Sequence, residues 1–253
     1  MSNYNNDMFT QLRTKYPVFY YENYTIHQDR DQIYLRFFYN ISSKFDFIHE
    51  INILKKNFIF ETDLYSLPIK NIVFQLGLIE MIRYWKSTCS PKVIVKASIL
   101  INAQIIWWKN LFYKGLGEFF YSNSIETTSD DFMEIVSASN FMHYPFKINV
   151  GHKNLILVGG GKDSIVTLNL LSKIQSENSC LVYNPRKFRI ESALLSGYPS
   201  DKIVEVRRIT DKKLLKMNKI EFFKWSSPLL SFLGFSIPIC CNIIRNKKHH
   251  CLQ

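Results

Sequence analysis

The sequence predicts an α/β protein, in which an N-terminal α+β domain precedes a domain built on a parallel sheet. Two observations predict this fold class. After residue 151, apolar strand patterns alternate with helix patterns, which is typical of parallel strands joined by crossover helices. Before residue 150, a strand hairpin is followed by two helix patterns, which favours an α+β arrangement. We therefore expect one domain over 1–150 and a second over 151–253.

Hydrophobic periodicity places the elements of the first domain. Alternating apolar residues predict antiparallel strands, and apolar residues three or four positions apart predict helices. The elements are strands over 32–40 and 45–51, a helix over 71–86, a strand over 92–95 and a helix over 102–113. The polar stretch over 122–151 is where we place the boundary between the domains.

The second domain is predicted as strand and helix in turn. Its elements are a strand over 154–159, a helix over 163–177, a strand over 180–183, a helix up to Gly197, a strand over 203–206 and a helix over 211–218. Ligands of parallel sheets bind at the carboxyl ends of the strands. Gly159, Asn184 and the pair Arg207 and Arg208 fall at those ends.

The net charge of +11 is concentrated in the second domain. Residues 1–150 carry 15 Lys and Arg against 14 Asp and Glu, whereas residues 151–253 carry 17 against 7. A basic domain suits polyanionic small molecules and also permits nucleic-acid binding. The five cysteines include no Cys-x-x-Cys pair, which argues against a disulfide framework and a zinc ribbon. The N-terminus lacks the apolar core of a signal peptide, so we expect a cytoplasmic protein.

A glycine loop is the strongest functional signal. The apolar run Leu155 to Val158 leads into Gly159, Gly160, Gly161, Lys162, Asp163 and Ser164, and a helix pattern follows at once. Glycines let the backbone approach a ligand closely, and the N–H groups at a helix N-terminus attract anions. The loop therefore predicts a phosphate or pyrophosphate site, with a plain glycine-rich turn as the alternative.

The loop differs from two common phosphate motifs. A Walker loop needs four residues between its glycine and the Gly-Lys-Ser/Thr end, and the dinucleotide fingerprint needs a later glycine. The loop resembles instead the PP-loop of the ATP pyrophosphatase superfamily, Ser-Gly-Gly-x-Asp-Ser. Gly159 stands where that motif has its first serine.

Further segments resemble the UDP-N-acetylmuramoyl-L-alanyl-L-glutamate epimerase family over roughly residues 30–219. The segments are Tyr84–Cys89, Trp107–Lys109, Gly115–Tyr121, Asn184–Arg186 and Val204–Arg208. The resemblance implies an ATP- and Mg²⁺-dependent isomerase of peptidoglycan precursor synthesis, which converts the terminal L-glutamate of UDP-MurNAc-L-Ala-L-Glu to D-glutamate. It implies a nucleotide-binding PP-loop domain, a small-molecule substrate, and neither nucleic acid nor membrane as partner.

The resemblance also implies roles for the loop. Gly159, Gly160, Gly161 and Ser164 would hold pyrophosphate through backbone N–H groups, and Lys162 would neutralise developing charge. Asp163 would bind Mg²⁺, with a helix N-cap as its alternative role. Asn184 and Pro185 would border the adenosine, or form a plain turn.

Four further residues complete the predicted site. Glu118 follows a Gly-x-Gly segment and would act as a base if burial raised its pKa, or else remain a surface residue. Lys86 would bind the substrate carboxylate, or extend along apolar surface towards water. Arg207 and Arg208 would bind phosphate, or form an exposed strand end.

The tail after residue 219 departs from this pattern. Residues 225–244 contain no charged residue, but two prolines and several serines argue against a transmembrane helix. A PP-loop sheet has about five strands and the chain offers three, so we expect a reading-frame shift near 219–224 and an incomplete domain. Two other functions remain open: another PP-loop enzyme, such as a tRNA-modifying enzyme, and a nucleotide-binding fragment without activity.

Overall fold

The computed structural model describes residues 2–55, 63–143 and 154–217. The strands are Val18–Gln28 (β1), Gln32–Ile41 (β2), Phe45–Leu54 (β3), Lys92–Val95 (β4), Glu134–Ser137 (β5), Asn154–Leu157 (β6), Asn178–Tyr183 (β7) and Ile203–Ile209 (β8). The helices are Ser2–Lys15 (α1), Leu67–Trp85 (α2), Asn102–Gly115 (α3), Gly117–Ser122 (α4), Lys162–Leu170 (α5), Lys187–Leu195 (α6) and Lys212–Met217 (α7). Two 3₁₀ turns cover Ser172–Glu177 and Ser200–Lys202.

The strands form one mixed sheet in the order β5-β4-β1-β2-β3-β8-β7-β6. Strands β1, β4 and β5 are parallel, and β1, β2 and β3 form an antiparallel meander. Strand β8 is antiparallel to β3 and parallel to β7, and β7 is parallel to β6. The two parallel groups therefore run in opposite directions, and their carboxyl ends lie at opposite ends of the sheet.

The α/β class is confirmed, and so are the predicted hairpin and the parallel order of the last three strands. The sequence did not predict that β3 and β8 pair, which joins both halves of the chain in one sheet. The boundary was predicted within the polar stretch over 122–151, of which residues 144–151 lie outside the described residues, so the division into two domains remains a prediction. The expected frame shift after residue 219 also lies outside them.

Several element bounds were wrong for physical reasons. The helix predicted over 163–177 ends at Leu170, where the side-chain amide of Asn178 donates to the carbonyl of Leu171 and a 3₁₀ turn begins. Helix α1 was missed because polar residues dominate it, although Phe9, Leu12 and Tyr16 form a buried stripe. Strand β5 was missed because it lies within the polar stretch over 122–151, which the sequence analysis interpreted as a domain boundary.

Helix α2 is buried over most of its surface and packs on the meander. Gly77 allows this close approach, because a Cβ at that position would overlap the side chain of Tyr21. The hydroxyl group of Tyr39 donates to the carbonyl of Gly77 at 2.7 Å, which fixes the helix on β2. This packing therefore fixes the position of α2 on the sheet.

Strands β6, β7 and β8 are covered on both faces, as expected for parallel strands. Ile156, Cys180 and Val182 pack with Leu168 of α5 and Ala193 of α6 in a small core. The opposite face contributes to the main core, through Leu181, Val204 and Val206. The carboxyl ends of these strands form what we call the glycine-loop end of the sheet.

Candidate functional site

The glycine loop connects β6 to α5. Its closure depends on Ser164, whose hydroxyl oxygen accepts a hydrogen bond from the Gly159 N–H at 3.0 Å. Gly160 has a φ of +77°, a conformation that L side chains rarely adopt. A Cβ there would also lie 2.5 Å from Cε2 of Phe188 in α6. Both the turn and the packing of α6 therefore require glycine at this position.

The loop leaves the first turn of α5 open to an anion. The helix begins at Lys162 after Gly161, so the leading N–H groups have no partner within the helix. Lys162 and Asp163 are exposed in this first turn. The predicted set of amide donors needs one correction, because the Gly159 N–H is already bonded to Ser164. The alternative role of Asp163 as N-cap is wrong, because Gly161 occupies that position.

Asn184 forms a second turn at the same end of the sheet. It has a φ of +50°, and its side-chain oxygen accepts a hydrogen bond from the Arg208 N–H at 2.8 Å. Nη1 of Arg189 donates to the carbonyl of Tyr183 at 2.6 Å and approaches that of Asn184 at 3.3 Å. A Cβ at Gly160 would lie 3.2 Å from Cγ of Arg189, so this arginine connects the glycine loop with the Asn184 turn.

A buried ionisable cluster lies where α2 meets β3 and β8. Oε2 of Glu80 is 2.8 Å from Nε2 of His49 and 3.8 Å from Nη1 of Arg208. Nδ1 of His49 is 3.0 Å from the hydroxyl group of Tyr84, one turn further along α2. The guanidinium of Arg208 lies over the ring of Tyr183 at 5.1 Å. The cluster therefore joins the first half of the chain to the glycine-loop end.

Electrostatic interactions decide the charge of Glu80. Burial would raise the pKa of its carboxyl group, but His49, Arg208 and Arg83 outweigh that effect and hold the pKa below its usual value. Burial, together with repulsion from Arg208, lowers the pKa of Arg83. The cluster thus places two guanidinium groups and one carboxylate at the junction of α2 and β8.

Lys86 follows α2 one turn after Arg83 and is also buried. Its ammonium group lies 5.2 Å from the ring centroid of Phe119. Burial and repulsion from Arg83 lower the pKa of Lys86 to about 8, although the carboxylate of Glu118 opposes this change. The carboxylate of Glu118 is thus near enough to Lys86 to interact with it electrostatically.

Glu118 itself does not fit the burial argument. It is exposed in the first turn of α4, so the burial on which its predicted role depended is absent. The predicted arginine pair is also divided, because neighbouring residues of a strand point to opposite faces. Arg208 points into the cluster, whereas Arg207 is exposed. Pro185 follows the Asn184 turn and is partly exposed.

The sequence analysis overlooked Glu80, Arg83, Arg189 and His49. The signal for two of them was present, because Glu80 and Arg83 fall on the same stripe as the apolar residues Leu76 and Ile79. A charged residue on the buried stripe of a helix must be paired, and such pairs often mark functional sites. The partners on β3 and β8 required the pairing of those two strands, which periodicity does not reveal.

The residues of this site fit Mg²⁺ only if a bound nucleotide supplies part of its coordination. Mg²⁺ binds commonly through one or two carboxylates together with phosphate oxygens and water. Asp163 offers one carboxylate beside the open helix N-terminus. Within residues 2–55, 63–143 and 154–217, no group of three His, Cys, Asp or Glu residues is placed to hold a metal alone. In the same ranges, no helix is both long and apolar enough to cross a membrane.

The fold and these contacts define an α/β protein whose glycine loop, Asn184 turn and buried ionisable cluster meet at the carboxyl ends of three parallel strands. The family model described as the MurL N-terminal domain matches residues 10–224, and the chain therefore belongs to that family. This membership points to an epimerase, an isomerase of peptidoglycan precursor synthesis. No curated protein and no solved structure matches the chain.

Proposed function

We propose that the chain carries out ATP-dependent epimerisation of the terminal L-glutamate of UDP-MurNAc-L-Ala-L-Glu. One observation carries the proposal: the family match includes both the α2 cluster and the glycine loop. The contacts of Arg189, Asn184 and Arg208 support it, since they connect the loop with the cluster. A nucleotide at the loop and a substrate beside α2 would thus share one end of the sheet.

The chemistry explains why a nucleotide is needed. The α-carbon of glutamate is a very weak acid, because its carbanion would form beside an existing carboxylate charge. Attack of that carboxylate on the α-phosphorus of ATP forms an acyl-adenylate and releases pyrophosphate, which removes the charge. A base then takes the α-proton, and the planar enolate is reprotonated on the opposite face. Hydrolysis of the acyl-adenylate releases AMP and the product, UDP-MurNAc-L-Ala-D-Glu.

The chain's own residues take the following roles in this proposal. The N–H groups of the first turn of α5 and the Lys162 ammonium hold the departing pyrophosphate. Asp163 holds Mg²⁺, which neutralises phosphate charge when bound. The Asn184 turn with Pro185 borders the adenosine. Lys86 binds the substrate carboxylate, and Arg208 and the exposed Arg207 bind phosphate.

A product assay tests the proposed reaction. The protein is incubated with ATP, Mg²⁺ and UDP-MurNAc-L-Ala-L-Glu, and AMP, pyrophosphate and the chirality of the hydrolysed glutamate are measured. We expect D-glutamate to appear together with AMP and pyrophosphate. Pyrophosphate release with bulk tRNA alone would identify a tRNA-modifying enzyme instead. Release with neither compound would reject the epimerase and leave a nucleotide-binding fragment without activity.

The role of Lys86 predicts a pH dependence. An ammonium group with a pKa of about 8 is charged at neutral pH and loses its charge above that value. We therefore expect KM for the dipeptide substrate to rise roughly tenfold per pH unit above pH 8, while KM for ATP stays constant. In Lys86→Arg the guanidinium stays charged, so the rise should disappear. A wild-type KM that stays flat to pH 10 would contradict the assigned role.

A further inference from the structure

A cavity lies at the end of the sheet opposite the glycine loop. Strands β4 and β5 run against β6, β7 and β8, so their carboxyl ends lie at this opposite end. Lys96 and Ala97 directly follow β4, and Ser139 and Phe141 follow β5. These residues line a cavity of about 490 Å³, which is within the range of small-molecule sites.

A long β1 and the start of α2 form the walls of this cavity. A bulge at Glu22 shifts β1, and its second part extends beyond β4, so that Tyr24 forms one wall. Tyr65 and Lys70 flank the first turn of α2 and form the other wall. From Lys70 to Lys86 the helix covers 16 positions, or ~24 Å. The cavity is therefore separate from the cluster and the glycine loop.

The cavity combines positive charge with exposed aromatic rings. Lys70 and Lys96 both line it, and Glu22 balances one of them through its 2.9 Å ion pair with Lys96. The N-terminal end of α2 adds partial positive charge. Tyr65 and Phe141 are 48% and 45% exposed, so a flat ligand can pack against their rings. A ligand with a flat ring and an anionic group would cover the rings and bind the lysines.

A buried histidine behind the cavity provides a second, independent observation. His143 is only 8% exposed, and its Nε2 is 3.2 Å from the hydroxyl group of Tyr24. Its ring meets the ring of Phe141 edge-on at 4.9 Å. Nδ1 is buried without a hydrogen-bond partner among the described residues. A polar atom in this state, beside two residues that line the cavity, is costly unless a ligand or water completes it.

The protonation states of His143 and Tyr24 determine which hydrogen bonds they can form. Burial and the nearby Lys70 lower the pKa of His143 to about 4, so its imidazole is neutral at physiological pH. Burial raises the pKa of Tyr24 to about 12, so its hydroxyl group keeps the proton. When that hydroxyl donates to Nε2, Nδ1 carries the imidazole proton. Tyr24, which lines the cavity, then contributes a neutral hydroxyl group beside two lysines, which suits a polar ring with an attached anion.

We propose that this cavity is a second ligand site, which binds a nucleoside monophosphate or a closely similar aromatic phosphate. The base lies against Tyr65 and Phe141, and the phosphate binds Lys70 and Lys96 near the start of α2. The hydroxyl group of Ser139 lies in the same lining, where it accepts a hydrogen bond from the Phe141 N–H at 3.1 Å and can still donate to the ribose or the phosphate. The site does not depend on the epimerase reaction, because it lies at the other end of the sheet.

Calorimetry with UMP, AMP and inorganic phosphate tests this site. Lys162→Ala is used as the background, because it weakens anion binding at the glycine loop. The loss of binding in Lys70→Ala/Lys96→Ala then assigns the remaining heat to this cavity. We expect at least one nucleotide to bind, and Lys70→Ala/Lys96→Ala to weaken that binding at least tenfold. Tyr65→Ala should weaken nucleotide binding severalfold but leave phosphate binding unchanged, since only the base contacts the ring.

Lys92→Ala is the matched control, because Lys92 lies at the amino end of β4 in an exposed ion pair with Glu134. It should bind the nucleotide as the background protein does. Equal affinity in the double variant and in Lys92→Ala would overturn the proposal. Absence of binding by both nucleotides at millimolar concentration would overturn it as well. Neither result would bear on the proposed epimerase reaction, which the chirality of the product tests separately.

Discussion

Replacing Lys162 or Asp163 with alanine is expected to abolish the release of AMP from ATP. Lys162 supplies the full positive charge at the open N-terminus of α5, where pyrophosphate leaves in the proposed reaction. Removal of one group that stabilises developing charge lowers a rate by about 10²–10³. Asp163→Ala would remove the carboxylate proposed for Mg²⁺, with a comparable loss. The measurement is AMP formation in the presence of substrate, ATP and Mg²⁺.

The same variants should keep their fold. Both side chains are exposed, and surface substitutions of this kind change the free energy of unfolding by about 0.5 kcal/mol or less. Lys173→Ala is a matched control, since Lys173 is an exposed lysine beyond the other end of α5. It should retain wild-type turnover. Unchanged AMP formation in Lys162→Ala and Asp163→Ala would exclude the proposed loop roles.

The sequence predicted the glycine-loop end well because its signals are local. A strand, three glycines and a helix lie within a few residues, and the structure places the Gly160 turn, the open α5 N-terminus and the Asn184 turn at one end of the sheet. Helical spacing also predicted α2 within a few residues of its bounds. Local periodicity and turn chemistry are sufficient for such elements.

The buried cluster could not be predicted in the same way. His49 contacts Glu80 and Tyr84 only because β3 packs under α2, and Arg208 approaches Glu80 only because β8 pairs with β3. These contacts join residues far apart in the chain, so no local pattern contains them. Glu118 shows the reverse error: its glycine-rich and aromatic neighbours suggested burial, but the short helix α4 leaves it exposed.

Replacing Glu80 with alanine is expected to cause a large loss of stability. Its carboxylate is fully buried, 2.8 Å from His49 and 3.8 Å from Arg208. Removal of one partner from a buried ion pair costs about 3–5 kcal/mol, because the remaining charge keeps its desolvation cost. Urea unfolding followed by circular dichroism measures this loss. Glu134→Ala is the control: its ion pair with Lys92 is exposed, so we expect a loss below about 1 kcal/mol.

The pH dependence of stability gives an independent check on Glu80. In the folded protein the pKa of this carboxyl group is held below its usual value. Its contribution to stability is therefore fully present above the pKa of the unfolded chain, which is about 4.3. That contribution is lost as pH falls through the folded value. The wild-type protein should therefore lose more stability on acidification than Glu80→Gln, which cannot titrate there. Parallel stability curves for the two proteins would contradict this account.

A double variant separates charge from packing at the same position. Glu80→Leu/Arg208→Met removes both members of the pair and fills their space with apolar atoms, so it should recover a large part of the stability lost in Glu80→Leu alone. Its epimerase activity should stay low, because Arg208 is proposed to bind phosphate. If the double variant is as unstable as the sum of the two single variants, then the Glu80–Arg208 contact contributes nothing to the junction of α2 and β8.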